Sequence, residues 1–412
     1  MVYSLNTQYA GNTIGLKKLA LRLAINKASK EGWLAEHMFV MGVDGTDNRR
    51  TYFSGAFPSS CGKTSTCMVT GEHIVGDDIA YLRKKNGKLF GVNVERGIFG
   101  IIKDVNSQDD PLISKVLHSP GEVIFTNILT KDQKPFWQGN GLAEPDCGLN
   151  FSGEWTKGKT DENGKLIPFA HPNARYTIPI RTLGNCDSNL ENSEGVEIKG
   201  IIYGGRDSDT WPPVFLSFDW AHGVITIASS LESETTSATL GEEGIRKFNL
   251  MANLDFLSMP MGNYIQNYLN FSQGLDVVPA VFGVNYFIRG NNGEYLTDKQ
   301  DKRVWLKWME LKIHGEVAVI KSPIGFLPVY EDLQKLFKQV LDQDYSKEMY
   351  NQQFMLRVSE NIKKVERIVE IYRGTVTDVP EVLFGVLDEQ RIRLKNALEK
   401  YGAYILPEQF SI

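Results

Sequence analysis

The sequence predicts a mixed α/β (α+β) fold built around a phosphate-binding loop, with mixed sheets and a helical C-terminal layer. Three observations carry that prediction. The octapeptide Phe57-Pro58-Ser59-Ser60-Cys61-Gly62-Lys63-Thr64 leads from a β-rich stretch into a short helix. Short β-branched runs recur through the middle of the chain, and from about residue 329 onward apolar and charged positions alternate at helical spacing.

In the octapeptide, backbone N–H groups can ring an anion, Lys63 can reach outer phosphates, and the Thr64 hydroxyl can hold a divalent cation. The first glycine of the usual phosphate-loop pattern would fall at position 57, where this chain has Phe57. A thiol at Cys61, among N–H donors and beside Lys63, is expected to have a depressed pKa and to be reactive. The 412 residues are 42% hydrophobic and 11% aromatic, enough for one large or two intimately joined domains. A net charge of -5 offers no basic footprint and argues against nucleic acid. Cys61, Cys67, Cys147 and Cys186 lack zinc spacing and read as reduced thiols. No apolar run reaches the ~18 residues that span a bilayer, and no signal pattern opens the chain, so a cytoplasmic protein is expected.

Taken in order, Tyr9-Ala10-Gly11-Asn12 reads as a tight turn. A helix from Leu16 to Lys30 would present Leu16, Leu19 and Leu23 as its apolar face. Strands are expected near 37–43 and 51–57, a short helix at 63–70, and a strand from His73 that ends at Asp77-Asp78. Further strands are expected at Val123 to Leu129, Ile198 to Tyr203, Val214 to Phe218, Val224 to Ala228 and Ala280 to Ile288. Residues 150–165 read as a solvent loop. Ser229 to Gly244 holds seven Ser/Thr, four Glu and two Gly, a composition that predicts a mobile loop. Helices are expected at Glu331 to Leu341, Ser346 to Tyr372 and Val379 to Tyr401.

The order of loop, helix, strand and acidic end is how a nucleotide fold sets a carboxylate beside a metal held by Thr64. Adjacent strand residues face opposite ways, so only one of Asp77 and Asp78 can be a direct ligand. His37 opens a buried-looking strand, where a lone histidine is ordinarily structural. Lys17-Lys18 within an apolar helix is ordinarily a solvated face, yet a lysine beside a dication can coordinate as a neutral amine. Arg175, after His171-Pro172-Asn173, and Arg206, after Gly204-Gly205, are fit to clamp a phosphoryl group in transfer.

These motifs resemble the GTP-type phosphoenolpyruvate carboxykinase family. The likeness rests on Glu31-Gly32-Trp33-Leu34-Ala35-Glu36-His37-Met38, the phosphate loop, Val75-Gly76-Asp77-Asp78-Ile79-Ala80, His171-Pro172-Asn173-Ala174-Arg175 and Gly200-Ile201-Ile202-Tyr203-Gly204-Gly205-Arg206. It extends to Trp220-Ala221-His222-Gly223-Val224 and Pro323-Ile324-Gly325. The resemblance implies reversible decarboxylation of oxaloacetate with phosphorylation of the enolpyruvate to phosphoenolpyruvate, releasing CO2. By the same resemblance, Lys18, His37 and Asp78 would hold a catalytic Mn2+. Lys63 and Thr64 would hold the phosphates and their Mg2+, with Asp77 behind them. Gly11, Asn12, Ser59, Ser60, Gly62 and Asn173 would touch substrate or phosphate, Arg175 and Arg206 the phosphoryl group, and Cys61 would match a reactive thiol.

On this reading, residues 1–30 would be the remnant of a junction to a missing N-terminal substrate domain, supplied by a longer polypeptide or a companion chain. Residues 31–328 would form the P-loop catalytic domain with a mobile lid at 229–244, and 329–412 its helical layer. Tyr286, Phe287 and Tyr295 would remain of the base pocket, while Thr297 to Lys302 is polar where an aromatic and a base-reading Asn are expected. Glu232 adds a carboxylate near the polyphosphate. Both departures resemble the diphosphate-dependent branch, so diphosphate is the favoured phosphoryl partner, with GTP/GDP the alternative. A non-catalytic phosphate-binding subunit is the reading from another class.

Overall fold

The computed structural model describes residues 9–59, 61–235 and 244–410, with side chains from residue 15 onward. Helix α1 (Tyr9–Glu31) leads into β1 (Leu34–Glu36), β2 (Phe39–Asp44) and β3 (Arg50–Ala56). The short helix α2 (Lys63–Cys67), β4 (His73–Gly76), β5 (Ala80–Lys85) and β6 (Lys88–Asn93) follow. The backbone at 9–12 is already helical, so the turn expected there is absent.

These six strands join an eleven-stranded mixed sheet whose middle decides where the site lies. Strand Val196–Gly204 runs parallel to β3 on one side and to Ala280–Val284 on the other. Polar residues fall in the first halves of β3 and of Val196–Gly204, while the second halves of all three strands are buried on both faces. Their carboxyl ends coincide, with Tyr203 opposite both Ala56 and Gly283. A parallel sheet binds ligands at that end, because the chain there breaks into loops. The loops are the octapeptide after β3, the Arg206 loop and the Tyr286-Phe287 segment.

Phe57, at the place of the usual glycine, is 1% exposed and lies between Phe39 and Tyr286, with ring centroids 6.0 and 5.9 Å away. It fits because Gly204 has no side chain; a Cβ there would meet the Phe57 ring at 2.1 Å. The phosphate loop therefore rests on an aromatic buttress.

Several elements differ from expectation for identifiable reasons. Val224 to Ala228 is helical. Asp219 accepts the His222 N–H at 2.8 Å to start the turn, which continues to the Ser229 N–H bond to the Val224 carbonyl. A short apolar run buried all round has no periodicity to separate helix from strand. Val123 to Leu129 is broken at Asn127, in the left-handed region at φ 61°, so Ile124–Thr126 and Leu129–Lys131 enter different sheets. The polar 150–165 region contains half of a hairpin, Cys147–Asn150 paired with Gly153–Thr156. Its polarity reflects a small sheet with a wet face. Ser346 to Tyr372 forms two helices, Lys347–Phe354 and Val358–Thr375, separated by Leu356–Arg357, which pairs with Tyr404–Ile405.

Tyr330–Leu341, Val358–Thr375 and Glu381–Tyr401 complete the helical C-terminal layer, and their buried faces belong to the same apolar core as the sheet. A second, smaller cluster of Leu21, Ala24, Ile25, Ala28, Trp33 and Phe256 seats α1.

Candidate active site at the carboxyl ends of the parallel strands

The loop between β1 and β2 puts His37 beside the N-terminal half of α1. Its Nδ1 lies 3.1 Å from the carbonyl of Ala252, an acceptor, so Nδ1 carries a proton. Burial lowers the imidazole pKa against the pull of Asp78, favouring the neutral form. Nε2 lies 2.8 Å from Asp78 Oδ1 and 3.2 Å from Lys17 Nζ. Lys17 also pairs with Asp78 Oδ2, closing a triangle of amine, imidazole and carboxylate.

The triangle takes Lys17, not Lys18. Lys18 points along the outside of α1, its ammonium 4.0 Å from the exposed Asp255. The reason is helical phase. The buried face of α1 is Leu21, Ala24, Ile25 and Ala28, and Lys17 lies one turn before Leu21. Leu16, Leu19 and Leu23 form the outer face instead, Leu23 being 59% exposed. The apolar face expected at Leu16, Leu19 and Leu23 is thus the outer one, and the lysine beside His37 is Lys17, whereas the family resemblance implied Lys18.

Asp77 and Asp78 face opposite ways, as the strand pleat requires. Asp77 receives the Thr64 hydroxyl at 3.4 Å and the Cys67 thiol at 3.4 Å. Asp78 turns to the triangle and to Lys63, whose Nζ lies 2.5 Å from Oδ1 and donates to the Asp77 carbonyl at 2.5 Å. Burial alone would raise the Asp78 pKa; Lys63, His37 and Lys17 outweigh it and hold the carboxylate well below its usual range. Burial works against the Lys63 charge too, but Asp77 and Asp78 keep it firmly protonated. Lys63 thus links the phosphate loop to the triangle.

Gly62 begins α2 at φ 103°, a conformation that favours glycine, and a Cβ there would meet Tyr286 at 3.0 Å. Ser59 lies beside it, its carbonyl 3.5 Å from Cys61 Sγ. The Cys61 thiol is 1% exposed and 2.9 Å from Ser233 Oγ. Burial pushes its pKa up, with Ser233 and Arg206 offsetting only part, so the expectation of a depressed pKa fails. The thiol points into the protein rather than into the anion loop. Ser60 and the Asn12 side chain lie outside the described residues, and Gly11 lies in the first turn of α1.

Arg175 is braced by Asn173 Oδ1 at 3.0 Å and lies over Phe99, near enough to Asp78 to feel its charge. Arg206 lies 3.8 Å over the Phe287 ring and donates to the Tyr295 hydroxyl at 3.2 Å. Tyr286 is held by Phe57 and by the Thr66 hydroxyl at 3.2 Å, leaving Phe287 and the half-exposed Tyr295 as the outer aromatics. The polar 297–302 stretch is occupied locally. Thr297 Oγ1 donates to the Tyr286 carbonyl, and Asp298 and Asp301 accept N–H groups of the turn before helix Lys302–Ile313.

Glu232 is not a bare charge. It is 4% exposed and paired twice with Arg367, at 3.1 and 2.8 Å, so it does not repel a polyphosphate. Residues 232–234 pair with 246–248 as a ribbon. The middle of the expected lid, 236–243, lies outside the described residues. Sequence reading missed Ala252, whose carbonyl accepts from His37 Nδ1, and Glu95, which accepts the Asp78 and Ile79 N–H groups at 2.9 Å each. Glu95 carries no motif signal, and burial followed by the Asp78 and Asp77 charges raises its pKa to about 8.

The model of the phosphoenolpyruvate carboxykinase C-terminal P-loop domain matches residues 33–393. The chain belongs to the GTP-type phosphoenolpyruvate carboxykinase family. The N-terminal domain model of the same family matches residues 1–29. A phosphoenolpyruvate carboxykinase [GTP] of Thermococcus sibiricus is 56% identical over 99% of this chain and 66% of its own length. A protein of that name from Pyrococcus abyssi is 57% identical over 98% of the chain and 66% of its own length. One from Sulfurisphaera tokodaii is 46% identical over the same shares. The chain therefore spans just under two thirds of the length of these carboxykinases. Among the described residues, no helix is long and apolar enough to cross a membrane.

Proposed function

We propose that this chain carries the catalytic machinery of a cytoplasmic, GTP-using phosphoenolpyruvate carboxykinase, converting oxaloacetate and GTP to phosphoenolpyruvate, CO2 and GDP. The convergence of Lys17, His37 and Asp78 beside Lys63 supports it above all. Relatives sharing 56–57% identity are carboxykinases named for GTP, which favours GTP over the diphosphate expected from the sequence. The burial of Glu232 against Arg367 removes one of the two grounds for diphosphate.

The donor set suits a dication such as Mn2+. Among the described residues no three His, Cys, Asp or Glu side chains converge on one point, so a cation here would need the Lys17 nitrogen as well. Asp78 is ionised, and His37 would offer Nε2 and Lys17 its Nζ to the cation. When bound, the cation polarises the ketone of the keto acid as a Lewis acid. Thr64 and Asp77 would hold Mg2+ with the nucleotide.

The protein's own groups do the rest. The C–C bond to the carboxylate breaks, CO2 leaves, and the electron pair stays as the enolate, so no general base is required. The enolate oxygen then attacks the terminal phosphorus and GDP departs. Lys63, Arg175, Arg206 and the loop N–H groups spread the charge of the phosphoryl in flight.

A donor panel of GTP, ITP, ATP and diphosphate with oxaloacetate and Mn2+ tests the reading on the 412-residue chain, beside a direct Mn2+ titration. Phosphoenolpyruvate is expected with GTP. Turnover with diphosphate alone would reverse the choice of donor, and absence of Mn2+ binding would sink the enzyme reading.

A further inference from the structure

Asn285 stands between two of the loops that make the site, and nothing in the proposed chemistry uses it. It is 0% exposed and follows strand Ala280–Val284 directly. Its amide nitrogen lies 2.7 Å from the Asp207 carbonyl and 2.7 Å from the Trp211 carbonyl, both on the Arg206 loop. Its amide oxygen accepts the Phe287 N–H at 3.0 Å. One side chain thus donates twice to the loop carrying Arg206 and accepts once from the segment carrying Phe287. Every polar group it offers is used, the condition under which a buried polar side chain fixes geometry. At the far end of this bridge the Arg206 guanidinium lies 3.8 Å over the Phe287 ring.

We infer that Asn285 is a positioning residue that locks the Arg206 guanidinium and the Phe287 ring into one unit. Base recognition and phosphoryl neutralisation are then set by the same junction. The Asp207 side chain anchors that unit from behind, 3.4 Å from Arg246 and 3.5 Å from Lys364. The inference rests on the carboxykinase reading for the role of the two groups, but not for the lock itself.

The lock is read without ligand in arginine-labelled protein by NMR. The Arg206 side-chain resonances carry an upfield ring-current shift from Phe287, which N285A removes. Persistence of that shift in N285A overturns the inference, whatever the protein binds. The second measurement is the affinity ratio of GTP to inorganic triphosphate, each with Mg2+, by calorimetry on the 412-residue chain. The ratio isolates what the base adds, and N285A lowers it about tenfold, the range that loss of one stacking contact gives. Mn2+ affinity stays as in the wild type. In an F287A background N285A has no further effect on the ratio, whereas a merely structural role predicts added losses in all three affinities. Should N285A fail to fold, N285D keeps the acceptor for the Phe287 N–H, loses both donors, and is expected to show the same loss of shift. A wild type that binds triphosphate and GTP equally counts against the carboxykinase reading, while the NMR result still decides the lock.

Discussion

Lys17 Nζ lies 3.2 Å from His37 Nε2, although twenty residues of chain separate them. The distance exists because α1 packs its Leu21, Ala24, Ile25 and Ala28 face against β1 and the chain reverses at Gly32 (φ 75°), running back to the N-terminal half of the helix. The neighbouring lysine, one residue on, is rotated by about 100° and reaches a different surface.

That rotation predicts unequal effects of two similar substitutions. K17M should weaken Mn2+ binding by about 100-fold or more, since even groups behind a metal ligand are worth 10–100-fold. K18M should change it by less than about threefold. Electron paramagnetic titration of free Mn2+ checks both; equal losses would contradict the assignment.

Cysteine labelling should follow burial rather than the position of Cys61 in the loop. Cys147 is exposed, whereas Cys61 is buried with its pKa raised by that burial. Iodoacetamide near pH 7.5 should modify Cys147 at least about tenfold faster, because only an accessible thiolate reacts. Peptide mass spectrometry before and after denaturation reads the order, and prior labelling of Cys61 in the folded protein would refute it.

His222 makes acid stability predictable. It is buried, and burial outweighs its Gln390 hydrogen bond to bring its pKa from 6.5 down to about 4. The unfolded chain therefore binds a proton that the folded chain refuses. Its contribution is complete above pH 6.5 and is lost as pH falls toward about 4, on the order of 3 kcal/mol in all. Urea melts across this window should lose stability in wild type, and H222Q should flatten that part of the slope. The same slope in H222Q would assign the effect elsewhere.

The Glu232–Arg367 pair predicts an asymmetry. R367M leaves a buried carboxylate with only the more distant Arg246 and Lys364 charges, and should cost about 2–3 kcal/mol. Adding E232Q should restore most of it, because no charge then remains to be compensated. Chemical denaturation of the two single variants and the double variant tests this; additive losses would show that the groups do not act as a pair.

Much of the site could be read in the chain because its chemistry is local. The phosphate loop, the Asp77-Asp78 step after a strand and Arg206 after a strand terminus are contiguous motifs, and the structure gathers them at the carboxyl ends of the parallel strands. Which of Lys17 and Lys18 meets His37 is a matter of helix phase, and the leucines at 16, 19 and 23 did not show it, because the face that packs is Leu21, Ala24, Ile25 and Ala28. Cys61 and Glu232 were misjudged because burial of the Cys61 thiol and the pairing of Glu232 with Arg367 both come from residues remote in sequence, which no local pattern contains.

The sequence by itself determined the order of loop, helix and acidic strand end, and hence the kind of chemistry, because those constraints act between near neighbours in the chain. Only the tertiary structure decided which lysine meets His37 and which charges are neutralised. It also decided how Arg206 comes to lie on Phe287. Burial and distance across the fold set those outcomes, since solvation and Coulomb energy depend on what surrounds a group in space.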